Sequence, residues 1–148
     1  MTSLKVILIA ASLASALDLT ATSTLMKIQG IPFERLLQTI ASGALGPSAF
    51  RAGKKTAAAG LLFHFLIAFI AASIYYAASR QLPFLLDRPL LCGTLYGIAV
   101  HLVMSRIVLP LSAAPRREFS AKPFFTQLVI HILYVGLPIA LTIHHLTA

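Results

Sequence analysis

The sequence predicts an all-α integral membrane four-helix bundle, with a short amphipathic helix between the first and second spans. Three observations lead there. Hydrophobic residues make up 58% of the 148 positions and charged residues only 11%, against about 25% charged in a soluble domain. Mean hydropathy is +0.88. The apolar residues also gather into four runs, each near the roughly 20 residues that a helix needs to cross the hydrocarbon. Disorder is excluded, because disordered chains are poor in apolar residues. A transmembrane barrel would need alternating stretches of about 10 residues, and the runs do not alternate. The length fits one membrane domain over residues 1–148.

The first span is predicted over 4–26, with Lys5 at its edge and Asp18 inside. Lys5, the apolar run after it and the small pair Ser15-Ala16 resemble a secretory signal. The apolar character continues past Asp18 to Leu25-Met26, too long for a signal core. The segment is therefore expected to stay as a span. Gly30-Ile31-Pro32 breaks it, and Pro32 suits the first turn of a new helix. Phe33, Leu36, Leu37, Ile40 and Ala44 then recur at helical spacing, with Glu34, Arg35, Gln38 and Ser42 between them. This predicts an amphipathic helix over 32–45, lying at the headgroup level; a re-entrant element is the alternative. Gly46-Pro47 stops it. The second span, 56–79, has no formal charge and holds His64. The third, 90–112, holds His101 and Arg106. The fourth, 124–146, holds His131 and ends at His144-His145.

The net charge of +8 does not point to nucleic acid. The cations sit in short connections, and no soluble module is left to present a basic face. The partner they suit is the lipid bilayer, whose anionic headgroups lie beside those connections. Segments 27–55 and 113–122 carry five and three Lys/Arg, making eight, against Lys5, Arg80 and Arg88 on the other side. That bias predicts both segments in the cytoplasm and both termini outside. Cys92, the one cysteine, allows neither an intrachain disulfide nor a cysteine metal cluster.

Each span carries an ionisable residue where lipid disfavours one. At about 1.5 Å per residue, Asp18, His64, Arg106 and His131 lie roughly 4 to 8 Å from the span midpoints. Antiparallel helices put all four displacements on the cytoplasmic side, and His101 falls at the midplane. A charge at the centre of a spanning helix costs about 2.5–3.5 kcal/mol, so this layer is the candidate functional site. Ser15, Asp18 and Thr22 share a helical stripe with Ala11; His64 shares one with Gly60, Ala68, Ala71 and Tyr75. Gln127, His131, Tyr134 and Pro138 form a third. Gly93 and Gly97 have the four-residue spacing that lets membrane helices approach closely. Arg106 projects about 140° away from His101, so one helix cannot aim both inward. It is expected to face a neighbouring helix or to reach the headgroups.

Neither a Ser–His–Asp constellation nor a phosphate loop is recognisable, so no catalytic residue is assigned and no cofactor is required. Three functions fit. One is a proton-linked transport module using Asp18 and His64. Another is an electron carrier with a non-covalent haem b or a metal, His64 and His131 being the axial candidates. The third is a non-catalytic assembly or membrane-organising protein whose polar residues only fix packing. Four short helices are few for a solute path, which suggests a homo-oligomer.

Several short stretches carry a family resemblance. They are Leu17-Asp18-Leu19, Ile40-Ala41-Ser42-Gly43, Gly60-Leu61-Leu62-Phe63-His64, residues 97–104, Pro110-Leu111-Ser112 and Gly136-Leu137-Pro138. On these stretches the chain resembles, over nearly its whole length, a family of small bacterial four-span membrane proteins of unknown function, about 145 residues long. The resemblance implies an inner-membrane location and no particular activity. Many members look to have an asparagine where this chain has Ser105-Arg106, which argues against an obligatory Asp18–Arg106 pair.

Overall fold

The computed structural model describes residues 1–116 and 118–147 and is helical throughout, with no strand among the described residues. Helix α1 covers Ser3–Ile28 and α2 covers Phe33–Leu45. Helix α3 covers Lys54–Gln81, α4 Pro89–Leu111 and α5 Ala121–Thr147. A 3-10 turn at Gly46–Phe50 and a one-turn helix at Phe84–Asp87 complete the chain. The helices α1, α3, α4 and α5 are long and apolar enough to cross a membrane. They overrun the predicted spans at most ends, because residues such as Lys54 and Arg80 continue the backbone ladder with their charges beyond the apolar stretch. Arg117, counted above among the basic residues of the last connection, lies outside the described residues.

Helix α1 packs between α3 and α5, and α5 packs between α1 and α4. The ring is closed between α3 and α4 by the Tyr96 hydroxyl, which donates to the Ala71 carbonyl at 2.7 Å. Tyr75 and Tyr96 also meet edge to face, 5.0 Å between ring centres. The core lies toward the end that holds the termini. There Val6, Ala10, Ala11 and Ala14 of α1 bury against Ala72 and Tyr75 of α3 and Ile139, Ala140 and Ile143 of α5. Small side chains dominate it, as expected where helices gain by close backbone approach rather than by escaping water. Outward faces carry large apolar residues such as Leu62, Ile70, Ile74, Leu95 and Val129, all exposed, a surface suited to lipid.

The α4–α5 crossing depends on glycine. A Cβ on Gly97 would stand 2.6 Å from Ile132 Cα, and one on Gly136 would run into the backbone of Gly93 and Gly97. Gly60 does the same for α2, whose Leu37 backbone rests directly on it.

Two π-helical turns interrupt the spans, Met104–Val108 in α4 and Ile132–Gly136 in α5. Each ends two residues before a proline, Pro110 or Pro138. Proline lacks the N–H for the usual helical bond and crowds the carbonyl four residues back, here that of Arg106 or Tyr134. A wider turn absorbs that crowding while keeping the helix continuous. Each π turn closely follows a histidine, His101 in α4 and His131 in α5.

Helix α2 buries Leu36, Leu37, Gln38, Ala41 and Ser42. The sequence put Gln38 and Ser42 on the polar side and Phe33 and Ala44 on the apolar side; the structure buries the first two and exposes the others. The reason is local satisfaction. The Gln38 amide donates to the Gly53 carbonyl at 3.3 Å, and the Ser42 hydroxyl donates to the Thr39 carbonyl at 2.7 Å. The Ala113 N–H, donating to the Gly43 carbonyl at 2.9 Å, latches the far end of α2 to the α4–α5 connection.

Candidate functional site

Where the termini meet, the bundle is solid; at the α2 end it is hollow. A cavity of about 350 Å³ is lined by residues of α1, α2, α3, α4 and α5. It receives four of the five polar residues of the predicted layer, Asp18, His64, His101 and His131. Much of the remaining wall is apolar, from Leu36 and Ile40 on α2 to Ile67 on α3 and Val100 on α4.

Asp18 and His64 meet directly. His64 Nε2 stands 3.5 Å from Asp18 Oδ2 and 3.2 Å from the Ser15 carbonyl oxygen. Both neighbours are acceptors, so this ring nitrogen carries the proton and donates. His64 Nδ1 is left as the nitrogen that can take up or release a second proton. This is the one ion-pair contact among the described residues. The helix stripe read from the sequence explains the geometry, since Ser15 and Asp18 occupy one face of α1 and a single imidazole can address both.

His131 points its Nδ1 at the Gln127 carbonyl, 2.8 Å away one turn earlier. That contact fixes the proton on Nδ1 and frees Nε2. Its ring lies 5.2 Å from that of His101, which also meets the Phe124 ring edge to face at 4.6 Å. Gln127 joins the site to α1 through a 3.5 Å contact with the Thr22 hydroxyl. Two buried polar atoms are left without a partner among the described residues, Asp18 Oδ1 and His101 Nε2. Such atoms are rare in folded proteins, where an ordered water or ion usually completes them.

Arg106 stands apart from the other four. It is exposed, with its guanidinium over the rings of Phe119 and Phe124 at 5.6 and 5.3 Å. The helical angle from His101 already argued that the two could not point the same way, and the π turn that begins at Met104 carries Arg106 on its outer side. Gly93 and Gly97 lie at the α4–α5 crossing, clear of the cavity lining.

For a cofactor, the nitrogens free for ligation are His64 Nδ1, His101 Nε2 and His131 Nε2. No group of three or more His, Cys, Asp and Glu side chains among the described residues is placed to hold one metal ion. His144 Nδ1 donates to the Leu86 carbonyl, 2.7 Å away, tying α5 to the α3–α4 connection. Cys92 is buried with its thiol 3.7 Å from the Phe84 carbonyl.

Sequence reasoning missed the contribution of α2 to the cavity, where Leu36, Thr39, Ile40 and Gly43 form one wall. Gly60 was the signal that could have found it: a glycine on the histidine face of a spanning helix marks a backbone neighbour. Comparison with protein-family models, curated proteins and solved structures finds no match for the chain.

Proposed function

We propose that this protein is a small proton-linked transport module of a bacterial inner membrane. The observation that carries the reading is the Asp18–His64 contact facing a hollow inside the bundle. An ionisable residue inside a spanning bundle is costly unless used, and such residues mark proton and ion paths. An imidazole that donates from Nε2 and receives at Nδ1 passes a proton without turning over, with Asp18 as the group that holds it. The four-helix count supports a multi-pass membrane protein. The basic bias of segments 27–55 and 113–122 supports a cytoplasmic α2 end with both termini outside. Resemblance to small four-span bacterial proteins supports the inner membrane. Helix α2 then lies at the cytoplasmic headgroup level as the cover of the cavity.

Purified protein in liposomes loaded with a pH-sensitive dye tests the reading. An acid step outside is expected to acidify the lumen faster than in protein-free liposomes. Equal rates would reject proton movement.

A further inference from the structure

The cavity offers a site for one charge inside a largely apolar chamber. Asp18 is 6% exposed and His101 is 3% exposed. Both line the chamber, and each has one polar atom without a partner among the described residues. A carboxylate oxygen only accepts, so whatever completes Asp18 brings a donor. Rotation of a carboxylate about χ2 is soft, so either oxygen can turn toward a guest. No lysine or arginine among the described residues lines the chamber, and Arg106, the nearby cation, is turned to the Phe119 and Phe124 rings. With the lining histidines His64, His101 and His131 in their neutral forms, the positive charge comes with the guest. The walls set the rest of its chemistry. Ile40, Ile67, Val100, Val108 and Val135 favour hydrocarbon over water.

We propose that the cavity binds a small organic amine as its ammonium ion, the N–H groups donating to Asp18 and the hydrocarbon body lying against Ile67, Val100 and Val135. This rests on the transport reading above and names its cargo. At roughly 30 Å³ for each water-sized group, the volume of about 350 Å³ holds on the order of ten non-hydrogen atoms. Binding also supplies the coupling. An ammonium ion needs the carboxylate ionised, so its arrival displaces the proton that Asp18 holds; that proton passes into the chamber, since His64 Nε2 already carries its own, and charge in the cavity is conserved. Amine and proton thus compete for one carboxylate, and the bundle passes a proton when no amine occupies it.

The test is calorimetric titration of the full chain in detergent micelles with phenethylammonium, beside the neutral analogue phenylethanol and a micelle blank. The expected result is saturable ammonium binding, about tenfold or more tighter than the alcohol and weakened by about tenfold or more in Asp18→Asn, since a buried charge loses its partner. Alcohol and ammonium binding alike, or ammonium binding unchanged in Asp18→Asn, would overturn the proposal. The comparison of charged and neutral ligands needs only the wild type, so it decides even if the variant fails to fold. Proton flux in amine-free liposomes separates the two readings. Flux without ammonium binding removes the amine site and leaves proton transport; ammonium binding without flux supports the site and removes transport.

Discussion

His64 Nε2 lies within 3.5 Å of both the Asp18 carboxylate and the Ser15 carbonyl, so one ring nitrogen ties α3 to two successive positions on the same face of α1. Asp18 Oδ1, the other carboxylate oxygen, is buried without a partner among the described residues. The following expectations separate use from packing.

Asp18→Ala and His64→Ala are expected to change stability little. Side-chain hydrogen bonds between membrane helices average about 0.6 kcal/mol, with a maximum near 1.7. Thermal melts in detergent should therefore shift by only a few degrees. A loss of folding in either variant would mean that the pair is a structural clamp.

His101→Phe is expected to keep or raise stability. The imidazole Nε2 has no partner among the described residues, and the ring already sits among the aromatic neighbours Phe124 and His131. Replacing an unsatisfied buried polar group by an apolar one of similar shape is near neutral or favourable. A marked drop in melting temperature would show that His101 makes a bond in solution that the structure lacks.

Gly136→Ala and Gly60→Ala are each expected to destabilise by about 1–3 kcal/mol through overpacking. The added methyl on Gly136 meets the Gly93 and Gly97 backbone, and that on Gly60 meets the Leu37 carbonyl. The two should differ in kind. Gly136→Ala opens the α4–α5 crossing and lowers the whole melt, whereas Gly60→Ala lifts α2 alone. Hydrogen exchange would see the second as faster exchange confined to the α2 amides, with α5 unchanged.

The architecture was legible because lipid imposes simple rules. Four long apolar runs gave four helices, and Pro32 with the spacing of Leu36, Leu37 and Ile40 gave α2 to within a residue. Depth along the helices brought Asp18, His64 and His131 to one level, since rise per residue is nearly constant. Direction around the helix was harder. Arg106 counts as level with Asp18 by depth yet projects outward. The π turns before Pro110 and Pro138 alter the rotation of everything beyond them, and a steady helical period cannot show that. The hollow itself depends on α2 folding back onto Gly60, a contact between segments that no local pattern encodes.

The basic bias of segments 27–55 and 113–122 leads us to propose that both termini lie outside. Alkaline phosphatase fused after residue 147 is expected to be active, and a reporter that fluoresces only in the cytoplasm is expected to stay dark there. The reverse pair of results would invert the bundle and place the cavity's α2 end outside.

The most direct measurement is the initial rate of proton entry into liposomes for Asp18→Asn against wild type, per folded molecule, with folding matched by melting curves. Asparagine keeps the size and hydrogen-bonding reach of aspartate and removes the charge. The account predicts a rate equal to that of protein-free liposomes, in a protein that melts within a few degrees of wild type. A wild-type rate in Asp18→Asn would contradict it and leave the Asp18–His64 contact as a packing bond between α1 and α3.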